Sequence, residues 1–386
     1  MQLPVVDRPP VPVRRDLLTE LQSAGVRLED DPGAPSRRGG AGPSDHKAVT
    51  VDGTTVMIPV HTGIARFSPF VIRRDLYGHH TLEREGQFLA RVTFPPAPKF
   101  YEGVTADGVP YWKIAVLHSS DVLATTVMQT CIRYRPVETS CQFCAIGQSL
   151  EAKRTIARKT PEQLAEVAAA AVRLDGVRHM IMTTGTPNRT DRGAAVLTDS
   201  AAAVTAAVDL PIQAQCEPPD DFAWFGRLRD AGVVSLGMHL EAVEPHVRAR
   251  IMPGKAEVPL DVYMDAFAAA VDVFGRAQVS TYILAGLGDS LDAIDRMAAD
   301  LVAIGVYPFV VPFVPISGTP LADHAEPDAA FMKAVLTAVG RRLKDAGMTS
   351  ADMKAGCGKC GACSSLSAYE TDSETRPAEP VYDAVF

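Results

Sequence analysis

From about residue 120 to residue 325 the sequence alternates between two patterns with a regularity that leaves few folds open. Short apolar runs at 123–129, 179–184, 212–217, 234–241, 278–285 and 307–314 read as strands of a buried parallel sheet. The stretches between them, 161–174, 200–208, 221–231, 260–274 and 291–304, are Ala-rich with one apolar stripe, as crossover helices should be; a sixth helix is predicted over 328–346. Six βα units in a row favour a barrel or a doubly wound sheet. A barrel gathers its chemistry at the C-terminal ends of its strands. Those ends carry Cys131, Thr184-Gly185-Thr186, Glu217, Glu241, Gly286-Leu287-Gly288 and the run 315–319. The coincidence favours a barrel whose mouth lies at Cys131.

The flanks read differently. Residues 1–118 form an N-terminal, mostly β appendage with no chemical motif of its own. A helix is predicted at 15–24, a Gly/Pro/Ser/Arg loop at 31–45, and a hairpin where Asp52-Gly53 separates 49–51 from 55–60. A second hairpin is predicted around Asp107-Gly108, joining 100–104 to 109–117, with an irregular stretch between the two hairpins. The barrel is assigned to 119–330. The segment 331–386 holds the last helix, a cysteine-rich turn and an acidic tail over 370–386.

Six of the seven cysteines fall in two triads, Cys131/Cys141/Cys144 and Cys357/Cys360/Cys363, and Cys216 stands alone. The first fifteen residues are rich in Pro and charge and lack the apolar core of a secretion signal, so the triads read as metal or cluster ligands rather than disulfides. Soft sulfur donors select iron–sulfur clusters or zinc. A C-x2-C zinc site needs a second paired ligand set, which Cys357 and Cys360 are able to supply, so zinc stays open at this stage. Cys216 reads as a buried thiol, and His118 and His239 as core or hydrogen-bonded histidines. A net charge of −8 argues against nonspecific nucleic-acid binding, and no apolar run approaches a membrane span. The expected location is cytoplasmic, with neither nucleic acid nor membrane as partner.

Cys141-Gln142-Phe143-Cys144, with Cys131 upstream in the loop after the first barrel strand, resembles the radical S-adenosylmethionine (SAM) superfamily. The resemblance covers roughly residues 120–325. It implies a partial (β/α)6 TIM-type barrel, here with the N-terminal β-rich appendage and a C-terminal cysteine-rich segment. It also implies that Cys131, Cys141 and Cys144 hold a four-iron, four-sulfur (4Fe-4S) cluster whose open iron chelates SAM. Reductive cleavage of SAM then yields a 5′-deoxyadenosyl radical. The commonest spacing in the superfamily is C-x3-C-x2-C; here nine residues separate the first two cysteines, and Cys131 is the departure.

Further stretches resemble SAM-binding landmarks: 181–186 at the second strand, 237–243 followed by 250–254 at the fourth, 283–289 at the fifth and 312–321 at the sixth. By resemblance, Thr184, Gly185, Thr186, Glu241, Arg250 and Gly286 position SAM. The fourth-strand region is similar to lipoyl synthase but lacks its asparagines, and the sixth is similar to the biotin synthase group. The overall likeness is to a functionally unassigned, nitrilase-operon-associated group of this branch. It implies a small-molecule substrate in cofactor or metabolite biosynthesis and an electron donor such as flavodoxin or ferredoxin. Cys357, Cys360 and Cys363 resemble the ligands of a second, auxiliary iron–sulfur cluster, which in sulfur-inserting relatives donates sulfur. A zinc knuckle or an electron relay are the alternatives, and Ser364, Ser365 and Ser367 are candidate oxygen ligands. A non-catalytic zinc or iron–sulfur protein is the competing reading from another class.

Overall fold

Side chains alternating at period two, with one face apolar, build a six-stranded sheet in the N-terminal region of the computed structural model, which describes residues 15–29 and 43–371. Its strands are β1 (Arg27–Leu28), β2 (His46–Val51), β3 (Thr54–Pro59), β4 (Phe70–Arg74), β5 (His80–Arg84) and β6 (Gln87–Thr93), in the order β1-β4-β5-β6-β2-β3. The β2–β3 hairpin turns at Asp52-Gly53, both with positive φ, as the sequence predicts. The helix Arg15–Ala24 lays Leu18 and Leu21 on the sheet, and Val49, Val51, Ile58, Phe70 and Leu82 complete a core of its own. The predicted loop at 31–45 and the acidic tail lie almost wholly outside the described residues.

Two expectations for this region are corrected. The stretch between the predicted hairpins is not irregular: β4, β5 and β6 occupy it, with Glu85 and Gly86, both at positive φ, turning β5 into β6. The second hairpin is absent as such. Around Asp107-Gly108 only one bridge forms, Val104 to Pro110; the flanks are a 3-10 turn (Lys99–Glu102) and a helical turn (Tyr111–Ile114). Proline at 110 has no N–H to extend a ladder, and its fixed φ starts the helical turn instead.

The second sheet has seven strands: β7 (Val116–His118), β8 (Val122–Thr126), β9 (His179–Thr183), β10 (Ile212–Gln215), β11 (Val233–Gly237), β12 (Val279–Ala285) and β13 (Val306–Pro312). They lie in the order β13-β12-β11-β10-β9-β8-β7; β8 to β13 are parallel and β7 is an antiparallel edge. All residues of β8 and β10 are buried, which is why these strands read as continuous rather than alternating runs. Helices cover the outer face. The helix Pro161–Asp175 shows how the sequence sets their ends: Thr160 and Gln163 form a capping box, Pro161 sits in the first turn, and Gly176 closes the end in the left-handed region. The architecture is the partial (β/α)6 TIM-type barrel expected, with β7 and β13 as its open edges.

The C-terminal segment and the N-terminal domain meet across those edges. Residues 353–369 pass the N-terminal ends of the strands: the Gly356 N–H donates to His179 Nδ1 (3.3 Å), and the Cys357 N–H donates to Gln213 Oε1 (3.1 Å). The Ala362 carbonyl accepts from Met57 N–H (2.7 Å) and from Gln22 Nε2 (3.0 Å), stitching the cysteine-rich turn to the N-terminal sheet and its helix. Thr19 Oγ1 bonds Ser365 Oγ (2.8 Å) and Tyr369 OH (2.9 Å).

Candidate functional site

The loop that carries the first triad begins where β8 ends, at the C-terminal face of the barrel. Its nine-residue excursion between Cys131 and Cys141 folds back on itself: the Thr139 and Ser140 N–H groups both donate to the Pro136 carbonyl at 3.0 Å. One side chain of the excursion turns inward. Arg133, 5% exposed, forms a buried ion pair with Glu217, which also accepts from Thr186 Oγ1 at 2.5 Å. The loop is tied to its neighbours by backbone bonds from Ile132 N–H to the Thr186 carbonyl (2.9 Å) and from Gln142 N–H to the Ile251 carbonyl (2.8 Å). Gly185 lies under it so closely that a Cβ there would stand 2.3 Å from the Thr130 carbonyl oxygen. A long spacing is thus accommodated by a folded, anchored loop.

Cys141, Cys144 and Cys131 are close enough to act on one another electrostatically. Burial first, and then a charge on Cys131, push the Cys144 thiol up to about 11. Cys141 is pushed well above its ordinary value by burial, then by Glu241 and Cys144. Buried thiols in this setting are neutral unless a cation compensates them. Three soft donors on one loop beside an open cavity fit three corners of an iron–sulfur cluster. Among the described residues, no three His, Cys, Asp or Glu side chains converge tightly enough to hold a single metal ion.

Below the loop the barrel encloses a cavity of about 430 Å³. Its walls are largely apolar, with Phe143, Ile181, Leu284, Val311 and Phe313 prominent, and its polar groups include Thr184, Gln215, His239, Glu241 and Tyr282. Cys144 lines it at the mouth; Cys357, Cys363 and His118 line it at the other end. The N-terminal domain supplies Gln22, His46 and Met57 to the same wall, so the appendage closes the barrel's open side.

The SAM-positioning residues expected from resemblance divide into three pairs. Thr184 and Glu241 line the cavity. Gly185 and Thr186 lie beneath the cysteine loop. The other two lie just outside: Arg250 Nη2 donates to the Leu287 carbonyl at 2.9 Å, and Gly286, at φ 110, offers its carbonyl to His324 Nε2 at 2.9 Å. Glu241 is held in the left-handed region at φ 57, between the Tyr282 carbonyl and the Leu284 N–H, a strained conformation for a residue with a Cβ. Its carboxylate pairs with Lys255 at 2.5 Å.

Lys255 was not singled out from the sequence. Burial disfavours its ammonium, but Glu241 more than offsets that and holds it protonated above the ordinary range. His239 is the reverse case: burial, and then Lys255, push it down to about 3, so the ring is neutral and its Nδ1 accepts the Tyr282 N–H at 3.2 Å. Cys216 is buried and does not reach the cavity lining, as its reading as a core thiol anticipates. Ser364 Oγ is committed to the Val310 carbonyl at 2.5 Å rather than turned to the thiols.

Residues 137–301 match the model of the Radical SAM superfamily, a stretch that includes Cys141 and Cys144 and begins after Cys131. That stretch is a radical SAM domain, and enzymes of that superfamily use a 4Fe-4S cluster and SAM. It is 26% identical over 267 residues to bacteriochlorophyllide c C-7(1)-hydroxylase of Chlorobaculum limnaeum, an alignment covering 64% of this chain and 66% of that protein. Among solved structures it is similar to methylornithine synthase (17% identity, TM-score 0.45, 59% of this chain and 63% of that one). It is also similar to a radical SAM methyltransferase from Sphaerobacter thermophilus (15%, TM-score 0.46, 71% and 75%). Among the described residues no helix is long and apolar enough to cross a membrane.

Proposed function

We propose that this chain abstracts hydrogen from a small-molecule substrate held in the barrel cavity, in the biosynthesis of a cofactor or small metabolite. The observation that carries the reading is the cavity itself, with largely apolar walls and running from Cys144 toward the floor. When bound, the cluster held by Cys131, Cys141 and Cys144 and its SAM supply a one-electron cleavage that delivers a 5′-deoxyadenosyl radical. The protein's own residues bind and orient. Thr184 and Glu241 present polar groups at the strand ends, Lys255 holds the Glu241 carboxylate in place, and Gly185, Thr186, Arg250 and Gly286 hold the surrounding loops. Phe143, Leu284 and Phe313 exclude water from the reacting region. The hydroxylase named above also acts at a carbon position, a kinship of reaction type only.

The assignment to the nitrilase-operon-associated group, the cytoplasmic location and a flavodoxin or ferredoxin as reductant belong to the same proposal. A second reading, sulfur insertion at an unactivated carbon, is favoured by one observation: Cys357 and Cys363 line the cavity that Cys144 lines.

Anaerobic reconstitution with iron and sulfide, followed by reductant and SAM, should yield 5′-deoxyadenosine. Metal analysis showing zinc without iron or sulfide, together with no 5′-deoxyadenosine, overturns the radical reading and leaves a non-catalytic metal protein. Product free of sulfur, with all sulfide retained after turnover, removes the sulfur-insertion reading.

A further inference from the structure

The three thiols at the barrel floor are arranged for a ligand that neither the cavity's apolar walls nor the first triad accounts for. A short helical turn, Cys357–Cys360, is fixed by bonds from Cys360 N–H to the Gly356 carbonyl (2.9 Å) and from Gly361 N–H to the Cys357 carbonyl (2.8 Å). Gly356 opens it at φ 104, where a Cβ would stand 2.1 Å from the Gln213 amide carbon. The turn is seated inside the barrel, not beside it. Gln213, wholly buried on β10, accepts the Cys357 N–H and also the amide of Gln215 (2.8 Å).

The surroundings of the sulfurs are polar in a selective way. Gln215 Nε2 donates to Cys357 Sγ at 3.2 Å, and the Tyr282 hydroxyl is in hydrogen-bonding contact with the same sulfur. The Ser119 hydroxyl reaches Cys360. Donors aimed at buried sulfurs stabilise thiolates and sulfides and tune clusters. Beside Cys363, the antiparallel edge strand β7 ends in His118, 5% exposed, with Nε2 3.5 Å from the sulfur. The other histidine near the turn, His179, uses Nδ1 to accept the Gly356 N–H, which leaves the coordinating position to His118.

We propose that Cys357, Cys360, Cys363 and His118 hold a second iron–sulfur cluster at the floor of the barrel, facing the first triad across the cavity. Three thiolates and one imidazole are a donor set that iron–sulfur clusters accept. Substrate would then lie between two clusters, with Gln215 and Tyr282 shared between the cavity wall and the second one.

The test separates this site from the first. The full chain carrying Cys131→Ala, Cys141→Ala and Cys144→Ala, reconstituted anaerobically with iron and sulfide, should retain about half the wild-type iron and sulfide. Pulsed electron paramagnetic resonance of its reduced cluster should show nitrogen coupling that disappears in both His118→Ala and His118→Cys, the latter keeping its iron. A triple-alanine chain with no iron and sulfide, or with zinc alone, overturns the cluster; coupling that persists in both His118 variants overturns the histidine ligand. If the triple-alanine chain aggregates, the reciprocal variant with Cys357, Cys360 and Cys363 changed to Ala should lose about half the iron and sulfide. Unchanged content there overturns the proposal. Failure of SAM cleavage alone leaves these readings intact.

Discussion

At the mouth of the barrel three cysteines ride on a loop; at the floor two ride on a helical turn threaded among buried glutamines, with Cys363 just beyond it. The mouth loop is held by residues just past two neighbouring strands and by a helix end: Arg133 on Glu217, Ile132 on Thr186, Gln142 on Ile251. The floor turn is held by elements far apart in sequence, Gln213 on one side and Gln22 and Met57 of the N-terminal domain on the other. The mouth therefore belongs to the superfamily's barrel, whereas the floor depends on what this chain adds at both flanks. Each end also has glycines packed too tightly for a Cβ, Gly185 above and Gly356 below among them.

The largest effect expected comes from the thiols. Cys144→Ala should reduce 5′-deoxyadenosine formation to background, as read by chromatography after anaerobic turnover, while Cys360→Ala should remove floor iron and leave mouth iron in place. Equal loss from both ends in either variant would break the distinction.

Next is the buried pair at the mouth. Lys255→Met strands the Glu241 carboxylate and should cost about 3–5 kcal/mol in chemical unfolding; adding Glu241→Gln should recover most of it. No recovery would mean that Lys255 acts through packing instead.

Smaller, and opposite in location, are the two glycine variants. Gly185→Ala should displace the Thr130 carbonyl, costing about 1–3 kcal/mol and lowering iron uptake at the mouth only. Gly356→Ala meets both a left-handed φ and Gln213, and should lower uptake at the floor only.

The last effect is a pH slope. Burial pushes Lys159 down to about 7 from an ordinary 10.5, beneath the mouth loop, where Nζ donates to the Thr126 carbonyl at 2.6 Å. Between those values the unfolded chain holds the proton and the folded chain does not, so stability rises with pH across that window; below about 7 the penalty is complete. Lys159→Met should flatten the rise in denaturation midpoints measured from pH 7 to 10.

Much of the barrel was legible because its strands are apolar runs and its helices Ala-rich stripes. The observed strands begin within a residue of expectation and all but β12 end earlier, and polar residues beyond those early ends, Thr184 and Glu241 among them, line the cavity. What escaped was polar or paired across distance. Strands β4 and β5 carry Arg73, Arg74, Glu83 and Arg84, and this charge masks their period-two pattern. Lys255 lies fourteen residues from Glu241 on a separate helical turn, so no local pattern links them. His118 gains meaning only from a cysteine 245 positions later.

The Ala362 carbonyl has a consequence in time. Its partner Gln22 is 340 residues away, whereas Arg133 and Glu217 at the mouth are 84 apart. Closing so long a separation is entropically the slower step, so during refolding the mouth should organise first and the floor last. Until that seam closes, the floor thiols stand open to oxidants and to competing metals. Hydrogen exchange pulsed during refolding should then protect the Ile132 amide before those of Met57 and Cys357; the reverse order would show that the seam leads.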